Sequence, residues 1–224
     1  MARFGLKTLV ILAALAALTS CGGGDGGGEM SHIVTEYDPR VLNDIAVDDL
    51  DGDERVDLVL ARSPYGSEIL TSSSTREVSA RSFTSTSFFS EGYAQAVAAA
   101  DIDGDGKKDI AVAEDESVHL LLQTPSGSFV EHSTLSYTAF VGSLSMADLD
   151  HDGRNDLVVG LWPTVFAPVV GSGLLVQFQR KEAATFEPPV ELPTLSAQHI
   201  LCDVDGDGWG DVLAAGRGTE AVRR

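Results

Sequence analysis

Asp101-Ile102-Asp103-Gly104-Asp105-Gly106-Lys107-Lys108-Asp109 is the stretch of sequence that decides the fold of this chain. Its carboxylates occupy positions 1, 3, 5 and 9 of a nine-residue segment, and glycines occupy positions 4 and 6. Two unit charges ~4 Å apart repel by roughly 1 kcal/mol in water and by about 4 kcal/mol at an effective dielectric constant of 20. A bound cation removes this repulsion, and Ca²⁺ accepts irregular shells of six to eight oxygen ligands. The stretch therefore predicts a calcium-binding loop.

The same pattern occurs four times, and we number the segments loop 1 (49–57), loop 2 (101–109), loop 3 (148–156) and loop 4 (203–211). The first aspartates of successive loops are 52, 47 and 55 residues apart. A period of about 50 residues indicates a repeat architecture in which each repeat is one supersecondary unit.

Short apolar runs flank every loop, as at residues 96–100 before loop 2 and 110–113 after it. Runs of this length that are bounded by turn residues predict buried strands. An EF-hand would instead place a helix after the loop and a glutamate at position 12. Position 12 is occupied here by Leu60, Val112, Val159 and Ala214. The EF-hand interpretation is therefore excluded at all four loops.

Two further strands fit into the first three repeats. Third strands are predicted at residues 68–71, 118–122 and 174–178, and fourth strands are predicted to open at Ser82-Phe83, at 128–130 and at Thr185-Phe186. Between the third and fourth strands of the second repeat, Thr124-Pro125-Ser126-Gly127 has the composition of a tight turn. Four short antiparallel strands per ~50 residues are typical of a β-propeller blade, so the predicted fold class is all-β.

The pattern Asp-x-Asp-x-Asp-x-x-x-Asp followed by Leu/Ile-x-Val resembles the FG-GAP or VCBS repeat over residues 44–216. The resemblance implies an integrin-α-like β-propeller of four-stranded antiparallel blades that binds up to four Ca²⁺. It also implies side-chain ligands at loop positions 1, 3, 5 and 9 and a backbone carbonyl ligand at position 7. The side-chain ligands are then Asp49, Asp51, Asp53, Asp57, Asp101, Asp103, Asp105, Asp109, Asp148, Asp150, Asp152, Asp156, Asp203, Asp205, Asp207 and Asp211, and the carbonyl ligands are Arg55, Lys107, Arg154 and Trp209.

Two loops depart from the pattern. Glu54 replaces glycine at position 6 of loop 1, where we expect a positive φ that is costly for a residue with a Cβ atom. We therefore expect loop 1 to be the weakest site. His151 replaces glycine at position 4 of loop 3, and we expect its side chain to point to solvent. Loops 2 and 4 match the pattern best.

The amino terminus predicts export. Arg3 and Lys7 precede an apolar run at residues 9–18, which is too short to span a bilayer and is typical of a secretory signal at residues 1–20. Leu18-Thr19-Ser20-Cys21 resembles the bacterial lipobox, which implies a lipid anchor on Cys21; an ordinary cleaved signal is the alternative. The expected location is the bacterial cell envelope, on the outer membrane or the cell surface, with the chain held to the membrane by the lipid.

Residues 21–30 are glycine-rich and predict a flexible tether to a repeat domain at 31–224. The predicted repeats are residues 44–92, 93–140, 141–195 and 196–224, of which the last is incomplete. Because too few residues follow loop 4 for a full blade, we expect a partial propeller that completes itself by self-association, a small closed ring, or a fragment. A segment at residues 31–36 could lend one outer strand to the last blade.

The chain is strongly acidic, with a formal net charge of −19 that becomes −21 when residues 1–20, which hold two basic and no acidic residues, are removed. Nucleic acid is therefore not an expected partner. Only Cys202 accompanies Cys21, so we expect no disulfide to stabilise the domain and infer that packing and metal do so.

The sequence contains no Gly-x-Ser-x-Gly, phosphate-loop, His-Glu-x-x-His or Cys-x-x-Cys motif, so we expect a non-enzymatic module. Adhesion or recognition of a protein or glycan is the leading hypothesis. The alternatives are the propeller part of a polysaccharide-degrading or phospholipase-like enzyme, and a structural fragment of a larger surface protein. Three stretches are candidates for ligand contact: the apolar segment 161–170, the Ser- and Thr-rich segment 71–90, and Trp209.

Overall fold

The computed structural model describes residues 41–63, 66–72, 83–89, 93–162, 173–192, 198–207 and 210–214. Every helix or strand named in this part of the chain is a β-strand, which confirms the predicted all-β class there. In the same residues, no helix has the length and hydropathy needed to cross a membrane. The predicted signal segment, Cys21, the glycine-rich tether and Trp209 lie outside the described residues.

The described strands form four antiparallel sheets, each a meander in which neighbours in the chain are neighbours in the sheet. Sheet 1 contains β1 (Val41–Asp48), β2 (Asp57–Ser63), β3 (Gly66–Ser72) and β4 (Phe83–Phe89). Sheet 2 contains β5 (Ala94–Ala100), β6 (Asp109–Glu114), β7 (Ser117–Gln123) and β8 (Phe129–Ser136). Sheet 3 contains β9 (Val141–Ala147), β10 (Asp156–Leu161), β11 (Gly173–Gln177) and β12 (Val190–Leu192). Sheet 4 contains β13 (His199–Cys202) and β14 (Asp211–Ala214).

Sheet 2 shows why the runs after the loops are continuously apolar. In β6, Ile110 and Val112 belong to the core shared with sheet 1, whereas Ala111 and Ala113 belong to the core shared with sheet 3. All four side chains are fully buried. A strand that is covered on both faces needs apolar residues at every position, so the alternation expected of a half-exposed strand is absent.

The sheets pack side by side through their first strands. β1 contacts β5, β5 contacts β9, and β9 contacts β13. Short side chains permit this approach: Ala96 and Ala98 of β5 are buried in the core with sheet 3, and Ala94 is buried in the core with sheet 1. The first strands therefore form the crowded inner side of the array, while strands such as β8 lie on the exposed outer side.

A β-bulge near the start of the first strands adds polar contacts between sheets. The register of β1 shifts between Leu42 and Asp44, which places Asn43 at the bulge. The Asn43 side-chain amide donates to the carbonyl of Ala94 at 2.7 Å, and the Asp44 carboxylate accepts the backbone N–H of Val97 at 3.0 Å. Burial at this boundary raises the pKa of Asp44.

Two glutamines join sheets 2 and 3 to the loop of the preceding sheet. Gln123, the last residue of β7, donates from its side chain to the carbonyl of Leu50 in loop 1 at 2.7 Å. Gln179, just after β11, donates in the same way to the carbonyl of Ile102 in loop 2. Both side chains are buried. The repetition shows that this hydrogen bond is a feature of the repeat and positions each loop against the next sheet.

Residues at loop position 8 make a second set of contacts between sheets. The Lys108 ammonium lies 2.9 Å from the Asp48 carboxylate, and the Asn155 side-chain amide donates to the carbonyl of Asp101 at 2.9 Å. Loops 1, 2 and 3 are therefore held beside one another at a common edge of the array.

The strand predictions are largely confirmed, with one difference in sheet 3. The turn at 124–127 is present, since the Gly127 N–H donates to the Thr124 carbonyl at 2.9 Å. The fourth strand predicted at Thr185-Phe186 was placed too early: Phe186 forms an isolated bridge with Gln179, and β12 begins at Val190. Pro188 and Pro189 separate the two positions, and proline has no N–H to donate to a ladder.

The hydrogen bond of Gln123 gives a stability prediction. Gln123→Ala removes the donor to the buried carbonyl of Leu50, so we expect the free energy of unfolding to fall by about 1–3 kcal/mol. Urea unfolding followed by circular dichroism measures the change. Glu191→Ala on the exposed face of β12 is the control, with an expected effect within about 0.5 kcal/mol. Equal unfolding free energies for the two variants would contradict this role of Gln123.

Candidate metal centre

Each acidic loop connects the first and second strands of its sheet: loop 1 joins β1 to β2, loop 2 joins β5 to β6, loop 3 joins β9 to β10, and loop 4 joins β13 to β14. A strand follows every loop, as predicted. The loops thus occupy equivalent places in the four sheets.

The first aspartate of each loop organises the turn. In loop 2, the two oxygens of Asp101 accept backbone N–H groups from Gly104 at 2.7 Å and Gly106 at 2.9 Å. In loop 1, Asp49 accepts from Gly52 at 2.8 Å and Glu54 at 2.8 Å. Asp148 and Asp203 accept corresponding bonds in loops 3 and 4. The carboxylate therefore faces the inside of the turn, where the backbone wraps around it.

The ninth aspartate is the buried member of loops 1, 2 and 3. Asp109 is 1% exposed; one oxygen accepts the N–H of Ile102 at 2.7 Å and the other accepts the N–H of Gln123 at 2.8 Å. Asp156 is fully buried and accepts from Leu149 at 2.9 Å and Gln179 at 2.8 Å. Asp57 and Asp211 accept the equivalent bond from loop position 2, each at 3.0 Å. This carboxylate therefore fastens the loop to its own sheet.

Three carboxylates converge in each loop. In loops 2, 3 and 4 the converging groups are those of positions 1, 3 and 9, and in loop 1 they are those of positions 1, 3 and 5. Within each group, one oxygen per residue lies within 4.8 Å of the others. The groups are Asp49, Asp51 and Asp53; Asp101, Asp103 and Asp109; Asp148, Asp150 and Asp156; and Asp203, Asp205 and Asp211. Each arrangement could hold one metal ion.

The remaining predicted side-chain ligands lie outside these groups. They are Asp57 in loop 1 and the position-5 aspartates of the other loops, Asp105, Asp152 and Asp207. Their assignment as ligands stays a prediction.

Basic side chains at position 7 contact the aspartates at position 5. Lys107 pairs with Asp105, Arg55 with Asp53, and Arg154 with Asp152. The hydrogen bond to Lys107 lowers the pKa of the Asp105 carboxyl, and the same bond raises the pKa of Lys107. Three loops thus contain a basic group that offsets part of their own negative charge.

In loops 1, 2 and 3, positions 4 and 6 adopt the left-handed conformation. In loop 2, Gly104 has φ = 79° and Gly106 has φ = 87°. Glu54 at position 6 of loop 1 has φ = 64°, so the unfavourable backbone predicted there is confirmed. His151 at position 4 of loop 3 has φ = 58° and is exposed. Both residues adopt a conformation that costs an L-residue roughly 1–2 kcal/mol relative to the right-handed one.

Burial and neighbouring charge act on the ninth aspartates. Burial raises the pKa of Asp109 and of Asp156, and other loop aspartates act in the same direction. The backbone hydrogen bonds described above partly oppose the shift. Without a cation, the ionised form of these two carboxyls is therefore disfavoured in the folded protein. A bound cation would reverse that preference.

The donor set fits calcium. Ca²⁺ binds oxygens at 2.3–2.6 Å, so two ligands of one ion lie no more than about 5 Å apart. The 4.8 Å limit within each carboxylate group satisfies this condition. All the donors are hard oxygen atoms, and the exposed side of each loop leaves room for water ligands. Soft or nitrogen-preferring metals have no matching donors in these groups.

The structure adds contacts that the sequence did not predict. The ion pairs between positions 7 and 5 were not predicted, although a basic residue occurs at position 7 of three loops, as Arg55, Lys107 and Arg154. The two buried glutamines were also missed, because Gln123 and Gln179 lie 14 and 23 residues beyond the ninth aspartates that they contact. No fixed spacing marks them.

Aromatic side chains lie at the end of the sheets opposite the loops. Tyr93 precedes β5, Phe140 precedes β9 and Trp162 follows β10, and they are 54%, 44% and 48% exposed. The backbone N–H of Trp162 donates to the backbone carbonyl of Phe140 at 2.8 Å. The Trp162 indole lies against the backbone of Gly142, where a Cβ atom would come within 2.0 Å of the indole Nε1. Glycine at position 142 is what allows this placement.

Two segments of the chain match a known repeat family. Residues 49–112 and 101–159 match the family model for the FG-GAP-like repeat. These segments are FG-GAP-like repeats. The first extends from loop 1 into β6 and the second from loop 2 into β10, so each contains two acidic loops and the strands between them. The predicted resemblance to FG-GAP repeats is thereby confirmed for these residues.

A curated relative has weaker similarity to the chain. Integrin alpha-PS3 of Drosophila melanogaster is 24% identical over 163 residues, which cover 60% of this chain. The chain spans 14% of the length of that protein. The similarity therefore concerns a small part of the integrin.

The pKa directions predict how pH affects the metal-free protein. A carboxyl whose pKa is higher in the folded than in the unfolded state binds a proton more tightly when folded, so stability falls as pH rises through that interval. Asp44, Asp109 and Asp156 all shift this way. In excess chelator, we expect the melting temperature to rise as the pH is lowered from about 7 to about 4.5, towards the unperturbed aspartate pKa.

Asp109→Asn is the control for this prediction because it removes one of the shifted groups. We expect it to flatten the pH dependence measured by thermal melts in chelator. If the wild-type melting temperature in chelator instead fell steadily as the pH was lowered, that result would contradict the interpretation.

Proposed function

We propose that this chain is a calcium-binding β-propeller module of a bacterial surface lipoprotein, which recognises a protein or glycan without chemical turnover. The observation that carries the proposal is the recurrence of one acidic loop between the first and second strands of every described sheet. Four-stranded antiparallel sheets packed through their inner strands are the blades of such a fold.

Calcium is supported by the donor set and its spacing. Each loop brings together three carboxylates that repel one another when empty, and the oxygen separations suit an ion of this size. In the proposed sites, the loop aspartates hold the ion and the position-7 residues Arg55, Lys107, Arg154 and Trp209 supply backbone carbonyls. The ion supplies positive charge that neutralises the turn, so its role is structural.

A surface location is supported by the FG-GAP-like repeats and the similarity to an integrin α chain. It is also supported by the signal-like residues 1–20 and the glycine-rich residues that follow. In this proposal Cys21 carries the lipid anchor, and residues 21–30 hold the domain at 31–224 away from the membrane.

Recognition is supported by the aromatic end of the sheets. Tyr93, Phe140 and Trp162 expose apolar ring surface on one side of the array. Glu114 accepts the backbone N–H of Tyr93 at 3.1 Å, so a carboxylate lies at the same end of the sheets. Aromatic faces beside polar groups suit both sugars and peptides, because each ligand offers an apolar surface and a hydrogen-bonding edge.

The acid–base cluster with His119 does not favour catalysis. His119 Nδ1 lies 2.9 Å from the Glu131 carboxylate and Nε2 lies 3.7 Å from the Glu114 carboxylate. Both ring nitrogens therefore lie near carboxylates of the same sheet, and the arrangement fits a polar contact cluster on the surface of sheet 2.

Calcium removal tests the metal part of the proposal. Each ion that binds only the folded chain stabilises it by about 2.7 kcal/mol at 100 times its dissociation constant, and four such ions would equal the net stability of a typical domain, about 5–15 kcal/mol. We expect excess chelator to lower the melting temperature by about 10 °C or more and added calcium to restore it. An unchanged melt in chelator would contradict the calcium role.

Loop variants refine this test. We expect Asp103→Ala in loop 2 to lower calcium-dependent stability more than Asp51→Ala in loop 1, because both aspartates belong to the converging carboxylates of their loops, while loop 1 also contains the strained Glu54. Melting temperatures with and without calcium measure both effects. An equal or larger loss for Asp51→Ala would contradict the ranking of the loops.

A glycan and peptide array tests recognition. We expect the calcium-loaded chain to bind a ligand, and Trp162→Ala to weaken binding by about tenfold, since loss of a central aromatic contact costs above about 1 kcal/mol. Val190→Ala, on the exposed outer strand of sheet 3, is the control. Release of shortened sugars by the wild-type chain would show an enzyme and overturn the non-enzymatic proposal.

A further inference from the structure

Every described sheet has a corresponding set of three residues, and in sheets 1 and 2 this set faces the next sheet in the chain. The set consists of loop position 2 and one cross-strand pair of the first and second strands, and we call it the following face. Its members are Leu50 with Ala46 and Val59 in sheet 1, Ile102 with Ala98 and Ala111 in sheet 2, Leu149 with Ser145 and Val158 in sheet 3, and Val204 with Ile200 and Leu213 in sheet 4. The positions correspond because each lies at the same distance in sequence from the acidic loop of its sheet.

The following faces of sheets 1 and 2 are covered. In sheet 2, Ile102 is 1% exposed, Ala111 is fully buried and Ala98 is 6% exposed, and all three belong to the core shared with sheet 3. In sheet 1, Leu50 and Val59 are buried in the core shared with sheet 2. Packing of the next sheet is therefore what removes these positions from solvent.

The following face of sheet 4 is exposed. Ile200 is 59% exposed, Val204 is 52% exposed and Leu213 is 38% exposed. Ile200 and Leu213 are directly opposite each other across β13 and β14. Three adjacent apolar side chains thus face outward at the place where the other sheets receive a neighbour. A contiguous exposed apolar surface of this kind indicates an interaction site.

Sheet 1 exposes apolar residues on its opposite, preceding face. Val47 of β1 is 59% exposed and Val56 at loop position 8 is 55% exposed. Ala99 is the residue of sheet 2 that corresponds to Val47, and it packs against the core shared with sheet 1. Lys108, which corresponds to Val56, reaches back to Asp48 of sheet 1. Val47 lies directly opposite Leu58 across β1 and β2, and Leu58 is buried. The two valines therefore stand where a preceding sheet makes contact.

We propose that two copies of this chain associate head to tail, with the following face of sheet 4 in one copy docked against Val47 and Val56 of sheet 1 in the second copy. The contact continues the interface that already joins sheets 1, 2 and 3. A second copy is the occupant because each copy carries both surfaces, both are apolar, and both lie at positions that internal neighbours use.

The symmetry of the assembly follows from the contact. Different surfaces meet, so the interface is heterologous and forms a ring where the rotation closes. Two copies contribute eight of the described sheets, four from each, and known propellers contain four to eight blades. Closure by two copies would satisfy both faces of each chain. The chain is strongly acidic, so two copies repel each other. Calcium in the loops would lower this repulsion, and this point rests on the proposed function.

The test measures the mass of the full chain by light scattering and sedimentation from about 1 to 100 µM in calcium, a range matched to moderate affinities. The chain carries Cys21→Ser so that Cys202 is the single thiol. We expect a concentration-dependent rise to twice the mass of one chain. Ile200→Lys and Val56→Lys should each weaken association by about tenfold or more. Val130→Lys, at a 56% exposed position on the outer strand β8, is the matched control and should associate like the parent chain.

Mixing the variants tests the head-to-tail geometry. A mixture of the Ile200→Lys and Val56→Lys chains retains one intact pair of surfaces, so we expect the mixture to associate more tightly than either variant does alone. A face-to-face dimer of sheet 4 would not be restored by mixing, and that result would overturn the proposal.

Thiol labelling reports on the same face. Cys202 is exposed and lies two residues from Ile200 on β13, so we expect its labelling to slow as the dimer forms. A chain that remained monomeric at every concentration would overturn the proposal, whether Cys202 stayed reactive or was covered by another segment. Calcium-dependent melting measured on the same sample distinguishes this failure from a failure of the proposed metal function.

Discussion

The rest of the structure depends on the hydrogen bonds that the ninth aspartate of each loop accepts from the backbone. Asp109 accepts one N–H from the beginning of its loop and another from the end of the third strand of its sheet. A buried carboxylate without such partners would be strongly unfavourable. The same group therefore fixes the path of the turn, the approach of the third strand, and the point at which the carboxylates of the loop converge.

Loops and strands were predictable because their signals are local. The four-fold Asp pattern and the apolar runs beside it lie within about fifteen residues of one another, and the hydrophobic run at 110–113 leaves no choice but a strand covered on both faces. The late start of β12 was harder to predict from the sequence. Its outcome depends on Pro188 and Pro189, which remove ladder donors, and on a bridge that stops at Phe186.

The contacts between sheets were not predictable from the sequence in the same way. Gln123 meets a carbonyl 73 residues earlier in the chain, and Gln179 meets one 77 residues earlier. Such pairs are set by how the sheets stack, which no short pattern encodes. The ion pairs of Arg55, Lys107 and Arg154 are local, yet the repeat pattern implies only a backbone carbonyl role for these residues. Their side chains add a function that the repeat pattern does not require.

Gln123 has a consequence for how the loops behave as a group. Its backbone N–H restrains Asp109 of loop 2, while its side chain restrains the carbonyl of Leu50 in loop 1. Gln179 connects loops 3 and 2 in the same manner. Ordering one turn therefore relieves its neighbour of part of the conformational entropy that the neighbour would otherwise lose. Ligands that order these turns would then act cooperatively along the chain, and a defect in one turn would weaken occupancy of the adjacent one.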